Sequence, residues 1–304
     1  MTTPTLAAAD ARSLMAAATE RLRAAGSPSP RLDAELLVAH AFDRERAWLH
    51  AHPDARLDDA QLATLAGWLE RRAGGEPVAY IRGFKDWFSL RIRTDRRALI
   101  PRPETELLAE LAIEEIARRL TASPDAPIAA WEVATGSGAV AVALGVRFRT
   151  ALTLGRLRLG ATDISAEALE LAAENLAAHR LAGLVALGCG DLLEPPVLPA
   201  PQQPDVLVAN LPYLTADEVE TGTGSLRFEP HMALEGGADG LDLIRRLLAL
   251  MPERLAPDGV ALMEIGVGQL PAVRDAVEAL PIAAELSAAT DLAGIERVVR
   301  IQRR

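Results

Sequence analysis

The chain has 304 residues, half of them hydrophobic, and a net charge of −10. That length suits two domains or one large domain with an appendage, and the acidic balance argues against non-specific nucleic-acid binding, which relies on Lys and Arg to neutralise phosphates. No stretch reaches the roughly 18 uninterrupted apolar residues of a membrane span, and the N-terminus lacks a basic region followed by an apolar one, so a cytoplasmic protein is expected.

The first 75 or so residues read as helices. Leu14, Ala18 and Leu22 recur at i, i+4, i+8, and Leu62, Leu65 and Leu69 at i, i+3, i+7. Ser29-Pro30-Arg31-Leu32-Asp33 reads as a capping serine followed by proline at the first helical position, and Asp58 with Gln61 as a second capped start. Residues 1–75 are therefore expected to form a small helical bundle, which carries no catalytic constellation. Residues 76–99 change to aromatic and β-branched residues alternating with polar ones around Gly83, which predicts a hairpin linker. From residue 100, Ile-Pro-Arg-Pro-Glu-Thr-Glu opens a helix to about Leu120.

Beyond residue 128 strands and helices alternate. Strands are predicted at Ile128–Ala134, Arg158–Asp163, Leu184–Cys189, Asp205–Ala209, Gly259–Glu264 and Glu296–Gln302. Helices are predicted at Ala139–Arg147, Ala166–His179, Asp242–Met251 and Gln269–Ala279, with Phe148–Arg158 as a surface loop. This alternation is an α/β pattern with a mainly parallel sheet. Such a sheet takes its ligand beyond the carboxyl ends of its strands, where the strand order reverses.

Four motifs fall at such ends. Glu132-Val133-Ala134-Thr135-Gly136-Ser137-Gly138 is a strand-to-helix glycine turn. It lacks the GK[ST] of a phosphate-binding loop, and an acid inside the strand end suits an α-amino group better than a phosphate. Asp163-Ile164-Ser165 ends the next strand, where an acid can take both hydroxyls of a ribose, although either side chain also suits a helix cap. Gly190-Asp191-Leu192 ends the third strand, where an aspartate can accept from an adenine amino group or serve as an ordinary loop residue. Turn, acid and acid in that order point to a nucleoside-bearing cofactor without phosphate, which S-adenosylmethionine fits. The fourth motif, Asn210-Leu211-Pro212-Tyr213, follows an apolar strand. The Asn210 side-chain oxygen and a nearby backbone carbonyl can accept the two N–H bonds of a planar NH₂ group and line its nitrogen up with a sulfonium methyl, with Tyr213 as an aromatic wall. No metal is expected: Cys189 is the only cysteine, and the His50/His52 pair has no partner at ligand spacing.

SPRLDAELLVAHAF, GEPVAYIRGFKDWFSL, IPRPETELL, EVATGSGAVAVAL, ATDISAEAL, GDLLEP, VLVANLPYL, FEPHMALEGGADGLDLIRRLL and LMEIGVGQ, in this order, resemble the release-factor glutamine methyltransferase family over nearly the whole chain. The resemblance implies a Rossmann-like class I S-adenosylmethionine methyltransferase domain over 100–304, and a docking role for residues 1–75. The implied reaction is methylation of the amide nitrogen (N5) of the GGQ-loop glutamine in class I peptide chain release factors, a protein methylation serving translation termination. It also implies that Ala134–Gly138 wrap the methionine end of the cofactor, Asp163 holds the ribose, Asp191 and Leu192 lie at the adenine, and Asn210–Tyr213 hold the glutamine amide. No membrane and no direct nucleic-acid partner is expected.

Two positions depart from the family pattern. Leu211 replaces the first proline of NPPY, keeping a backbone carbonyl but losing proline's fixed φ. Ala134 stands where the turn begins with glycine, so its methyl crowds the cofactor unless φ is negative. Three alternatives stay open on the sequence: a ribosomal-protein glutamine methyltransferase, a nucleic-acid adenine methyltransferase with a similar Asn-Pro-Pro-Tyr motif, and a diverged non-catalytic cofactor binder.

Overall fold

The computed structural model describes residues 9–194, 203–222, 224 and 226–304. The first eight residues, and Pro195 of the GDLLEP motif, lie outside them. The chain divides into two compact units, Met1–Phe84 with Thr223–Phe228, and Lys85–Gly222 with Glu229–Arg304.

The first unit is a helical bundle of α1 (Ala11–Ala24), α2 (Pro30–Ala41), α3 (Arg46–Ala51), α4 (Asp59–Ala73) and the short α5 (Val78–Arg82). The periodic leucines form its core: Leu14, Leu22, Leu37, Leu65 and Leu69 are all fully buried. Asp58 and Gln61 make the reciprocal capping box at the start of α4. Ser29 stands at the N-cap of α2 but does not cap it with its side chain. Its hydroxyl donates instead to Asp33 Oδ1 at 3.0 Å, because Asp33 is buried and needs donors. Ser27 donates to the same carboxylate at 2.6 Å, and Arg72 Nε at 2.8 Å. The helix α5 occupies part of the stretch where alternation predicts a hairpin; the hairpin itself is confined to β1 (Phe84–Trp87) and β2 (Leu90–Arg93), joined by Phe88 and Ser89, both at positive φ. Positive φ at both central residues marks the turn whose twist matches the strands it connects.

The second unit is built on a seven-stranded sheet. In chain order it contains α6 (Thr105–Ala122), β3 (Ile128–Val133), α7 (Ala139–Arg147), α8 (Arg149–Thr153), β4 (Leu157–Asp163), α9 (Ala166–Ala178), β5 (Val185–Cys189) and β6 (Val206–Ala209). Then follow α10 (Ala216–Glu220), α11 (Asp242–Arg254), β7 (Val260–Glu264), α12 (Leu270–Glu278), β8 (Ala284–Thr290) and β9 (Glu296–Arg303). The strand order is β5-β4-β3-β6-β7-β9-β8, parallel from β5 to β7, with β9 antiparallel to both its neighbours. β6 and β7 are buried along their whole length, as strands covered on both faces must be, which is why Val206–Ala209 and Val260–Met263 read as unbroken apolar runs.

One expectation is corrected. Phe148–Arg158 is not a surface loop: Phe148 and Leu152 are buried in the main core, which draws the segment into α8. The edge strand β8 carries no sequence signal, because AELSAAT has no apolar run and is largely exposed.

The Asp33–Arg72 ion pair sits with side chains only 7% and 9% exposed, so each charge depends on the other. Arg72→Met keeps the apolar stem and strands the carboxylate. Urea denaturation is expected to show a loss of about 3 kcal/mol; a loss under about 1 kcal/mol would place the pair among solvent-compensated surface bridges.

Candidate active site

The order of strands reverses between β3 and β6, and register aligns the residues that follow. Val133 pairs with Thr162 on β4 and with Ala209 on β6. Ala209 pairs in turn with Met263 on β7, and Asp163 on β4 with Cys189 on β5. One step further along the chains, Ala134, Asn210 and Glu264 stand beside one another at the carboxyl edge, with Asp163 and then Cys189, the residue before Gly190, on the other side of Ala134. Four separate motifs therefore arrive in one row, and a cleft of about 330 Å³ opens above it, within the range of small-molecule sites.

Glu132, Ala134, Thr135, Gly136, Ser137, Asp163, Asp191, Leu192, Asn210, Leu211 and Pro212 all line this cleft. Gly138 does not. It sits at φ +76°, and a Cβ there would lie 3.0 Å from Ala172 Cβ, so this glycine serves the packing of α7 on α9. Tyr213 is also not on the lining. Its side chain is half-buried, and its hydroxyl donates to Glu264 Oε1 at 3.1 Å. Burial and that carboxylate push the phenol's pKa upward.

The two acids of the cofactor half are neighbours, Glu132 buried and Asp163 half-buried. Glu132 accepts from the Thr135 hydroxyl at 2.7 Å, and burial pushes its pKa up to about 8. Burial also raises Asp163, although its carboxylate accepts from Gly136 N at 2.8 Å and Ser165 N at 2.9 Å. Asp163 thus ties the glycine turn to the neighbouring strand while still facing the cleft. Ser165 is the helix cap, accepting from Ala168 N at 3.2 Å. Asp191 accepts from Arg246 Nη2 at 2.7 Å at the other end of the cleft.

The acceptor half is braced from several elements. Asn210 Nδ2 donates to Thr105 Oγ1 at 3.1 Å. Leu211 is buried, its side chain packed into the second core with Val133, Leu192 and Ile244; the side chain therefore anchors the loop, where the sequence offered only its backbone carbonyl. Gln269 Nε2 donates to the Tyr213 carbonyl at 3.1 Å, while its Oε1 accepts from Gly266 N at 2.7 Å. A Cβ at Gly240 would fall 2.1 Å from the Tyr213 carbonyl, so the GGADG segment needs glycine to approach the loop.

Sequence reasoning overlooked Thr105, Arg102 and Arg246, all on the cleft lining. Arg102 donates to the buried Glu229 at 2.6 Å, and Glu229 also accepts from Ile100 N at 3.0 Å. Lys85 Nζ and Trp87 Nε1 hold the carbonyls of Pro101 and Arg102, each at 2.7 Å. For Arg102 and Thr105 the signal is the density of polar and proline residues in IPRPETELL; Arg246 has none. Among the described residues no cluster of three or more His, Cys, Asp or Glu could hold a metal, and no helix is long and apolar enough to cross a membrane.

Ala134 adopts φ +56°, the conformation in which an L side chain costs about 1–2 kcal/mol. The condition under which its methyl is harmless, a negative φ, is not met. Ala134→Gly is expected to stabilise the fold by about 1 kcal/mol, net of glycine's extra unfolded-state entropy, read as a higher melting temperature. A lower melting temperature would show that the methyl makes compensating contacts.

Comparison with known proteins gives this site its setting. Residues 13–83 match the family model of the PrmC N-terminal domain. A release factor glutamine methyltransferase of Bordetella pertussis is 38% identical over 269 residues, 88% of this chain and 93% of that one. The Xylella fastidiosa protein of the same name is 38% identical over 94% of this chain and 95% of its own, and that of Deinococcus radiodurans 36% over 96% and 98%. Among solved structures, the hMettl16 catalytic domain in complex with an RNA hairpin of the MAT2A 3′UTR aligns with TM-score 0.51 at 13% identity, covering 80% of this chain and 81% of that chain, a likeness of fold alone. With its sheet order, its row of strand-end motifs and relatives of this identity over nearly their full length, the chain belongs to the release factor glutamine methyltransferase family.

Proposed function

We propose that this protein transfers a methyl group from S-adenosylmethionine to the side-chain amide nitrogen of the GGQ-loop glutamine in class I peptide chain release factors, in the cytoplasm. The observation that carries the reading is Asn210, whose amide nitrogen is engaged by Thr105 at 3.1 Å on the wall of a cleft that also holds Glu132 and Asp163. Its amide oxygen is thereby left to accept from a substrate. Residues 1–75 serve as the docking unit for the factor, residues 76–99 as the linker, and residues 100–304 as the catalytic domain.

The cleft's chemistry fits the cofactor. Glu132 is a desolvated acid that gains from a cation, as an α-ammonium provides, and no lysine or arginine contributes to its pKa shift. Asp163 keeps acceptor capacity toward ribose hydroxyls, and Asp191 with Leu192 borders the adenine. Bound S-adenosylmethionine supplies an electrophilic methyl on a sulfonium sulfur. An amide nitrogen is a poor nucleophile because its lone pair is delocalised, so the protein's part is placement. Asn210 Oδ1 and the Leu211 carbonyl accept the two amide N–H bonds, orient the nitrogen and favour the positive charge that develops there. Orientation of this kind contributes as much as about 7–11 kcal/mol in the best cases. The methylated nitrogen then sheds a proton to water, so no strong base is required.

Labelled methyl transfer to purified, unmethylated release factor tests the reading, with a GGQ-to-GGA variant as control. Label on the wild-type factor only, and none with Asn210→Ala although cofactor still binds, is expected. Label on a ribosomal protein or on DNA instead would replace this substrate with another.

Glu132 generates a pH dependence. With its pKa raised to about 8, the unliganded protein is favoured by protonated Glu132, and that contribution is lost as pH climbs from the ordinary carboxylate range through about 8. The cofactor's ammonium favours the ionised form, so S-adenosylmethionine affinity measured by calorimetry should rise between about pH 6 and 8 with proton release. Glu132→Gln should flatten that profile; an unchanged slope would assign the dependence to another group.

A further inference from the structure

On α9 stands an asparagine, Asn175, with 0% exposure. The buried face of that helix otherwise carries Ala168, Leu171, Ala172 and Leu176, and an amide among them costs stability unless its donors and acceptor are used. Its hydrogen bonds reach backbone far away in sequence. Oδ1 accepts from Arg93 N at 2.8 Å. Nδ2 donates to the Arg93 carbonyl at 3.1 Å and to the Ser137 carbonyl at 2.8 Å. Arg93 ends β2 of the hairpin, and Ser137 belongs to the glycine turn on the cleft lining, which Asn175 itself does not reach.

These bonds fix two things. The first is the direction of the amide. A backbone N–H can only donate, so Arg93 N holds Oδ1 on its own side and leaves the NH₂ group for the two carbonyls. Helix and strand are matched along this seam: His179, one turn on from Asn175, donates through Nε2 to the Arg91 carbonyl at 2.9 Å. Residues four apart on α9 thus meet residues two apart on β2. The second is the Ser137–Gly138 peptide. Its carbonyl accepts from Asn175, and its N–H donates to the Thr135 carbonyl at 2.8 Å. Gly136 stands at φ +54° and Gly138 at φ +76°, and glycine takes either sign of φ at little cost. The sequence of the turn therefore leaves this peptide free to rotate, and Asn175 holds it from the carbonyl side. The first half of the turn is held by β4, through the Thr162 carbonyl and the Asp163 carboxylate; α9 holds the second.

We infer that Asn175 is a positioning residue for S-adenosylmethionine binding: directed by β2, it locks the Ser137–Gly138 peptide and with it the shape of the turn that receives the methionine end of the cofactor. This rests on the reading of that turn as the cofactor's seat. The hairpin gains a second task, since its strand β2 supports the cofactor site as well as connecting what precedes and follows it. The acceptor loop is braced by Thr105 and Gln269 instead. Loss of Asn175 therefore acts on cofactor affinity and leaves the transfer step intact once the cofactor is bound.

Calorimetric S-adenosylmethionine affinity and steady-state transfer to release factor are measured on Asn175→Ala, Asn175→Asp and Val277→Ala. Asn175→Ala strands the Ser137 carbonyl and both polar groups of the Arg93 backbone, and should weaken cofactor binding about tenfold while kcat at saturating cofactor keeps its wild-type value. Asn175→Asp keeps the shape and the bond from Arg93 N but sets an oxygen against the Ser137 carbonyl, so it should bind at least as weakly. It carries the test if the alanine chain does not fold. Val277→Ala truncates a buried side chain on α12, off the cleft; it should lower the melting temperature and leave cofactor affinity unchanged. Wild-type affinity in the Asn175 variants overturns the positioning role. A loss shared by Val277→Ala overturns it as well, since destabilisation alone would then explain the effect. So does a drop in kcat with affinity intact. If the wild-type protein binds S-adenosylmethionine but labels no release factor, the proposed function falls, and the cofactor affinities still decide the role of Asn175.

Discussion

Everything at this site depends on the register of five parallel strands. Because β5, β4, β3, β6 and β7 end level with one another, residues as distant in sequence as Asp163 and Glu264 are delivered to one edge without any loop having to search for them. The same register forces acids together in a desolvated place. Glu132 and Asp163 both have raised pKa values from burial, and the charge of Asp163 adds to the shift of Glu132. An apolar sheet buried on both faces thus does two things at once. It sets the geometry, and it makes the carboxylates costly to ionise until a cation accompanies them.

The acceptor loop illustrates how a short motif is made rigid. Four residues cannot hold themselves, and here the restraints come from α6 through Thr105, from β7 through Glu264, from the start of α12 through Gln269, and from the glycine segment that closes on the Tyr213 carbonyl. The IPRPETELL stretch is in turn fixed by Lys85, Trp87 and Glu229. Each restraint is a modest hydrogen bond, but they start from elements that are themselves packed in the core, so the position of Asn210 is set by the body of the fold and not by loop conformation.

This division explains what could be read from the sequence. The glycine turn, the strand-end acids and the Asn210 motif were legible because each is local: a strand, a turn and a side chain type within a few residues. The parallel strands were legible because double-sided burial writes itself as apolar runs. Thr105 was not, since its meaning lies in a hydrogen bond spanning 105 positions. Next to Asn210 in sequence, Tyr213 reads as a wall of the cleft, but its hydroxyl is bonded to Glu264 and it is not on the cleft lining. Gly138 reads as part of the cofactor turn, whereas contact with Ala172 on a helix 34 positions away decides its identity. β8 escaped because an exposed edge strand carries no periodic signal to find.

The two departures from the family pattern bear on the same question of rigidity. A proline at position 211 would restrict φ covalently, in the unfolded chain as well as in the native one. Leucine leaves φ free but adds a side chain that is 2% exposed and packed against Leu192 and Ile244 in the core behind the cofactor half. Burying a leucine contributes about 1.5–3 kcal/mol, comparable with or larger than the backbone restriction it replaces. The restraint has moved from a ring in the backbone to contacts with the core, and it now depends on the residues beneath the cofactor. Ala134 works in the opposite sense: its left-handed backbone is a cost, tolerated because Asp163 and Thr162 hold the turn through the amides of Gly136 and Thr135. One substitution adds packing beneath the acceptor loop while the other adds strain to the cofactor turn, and both act through the edge that β3 and β6 share.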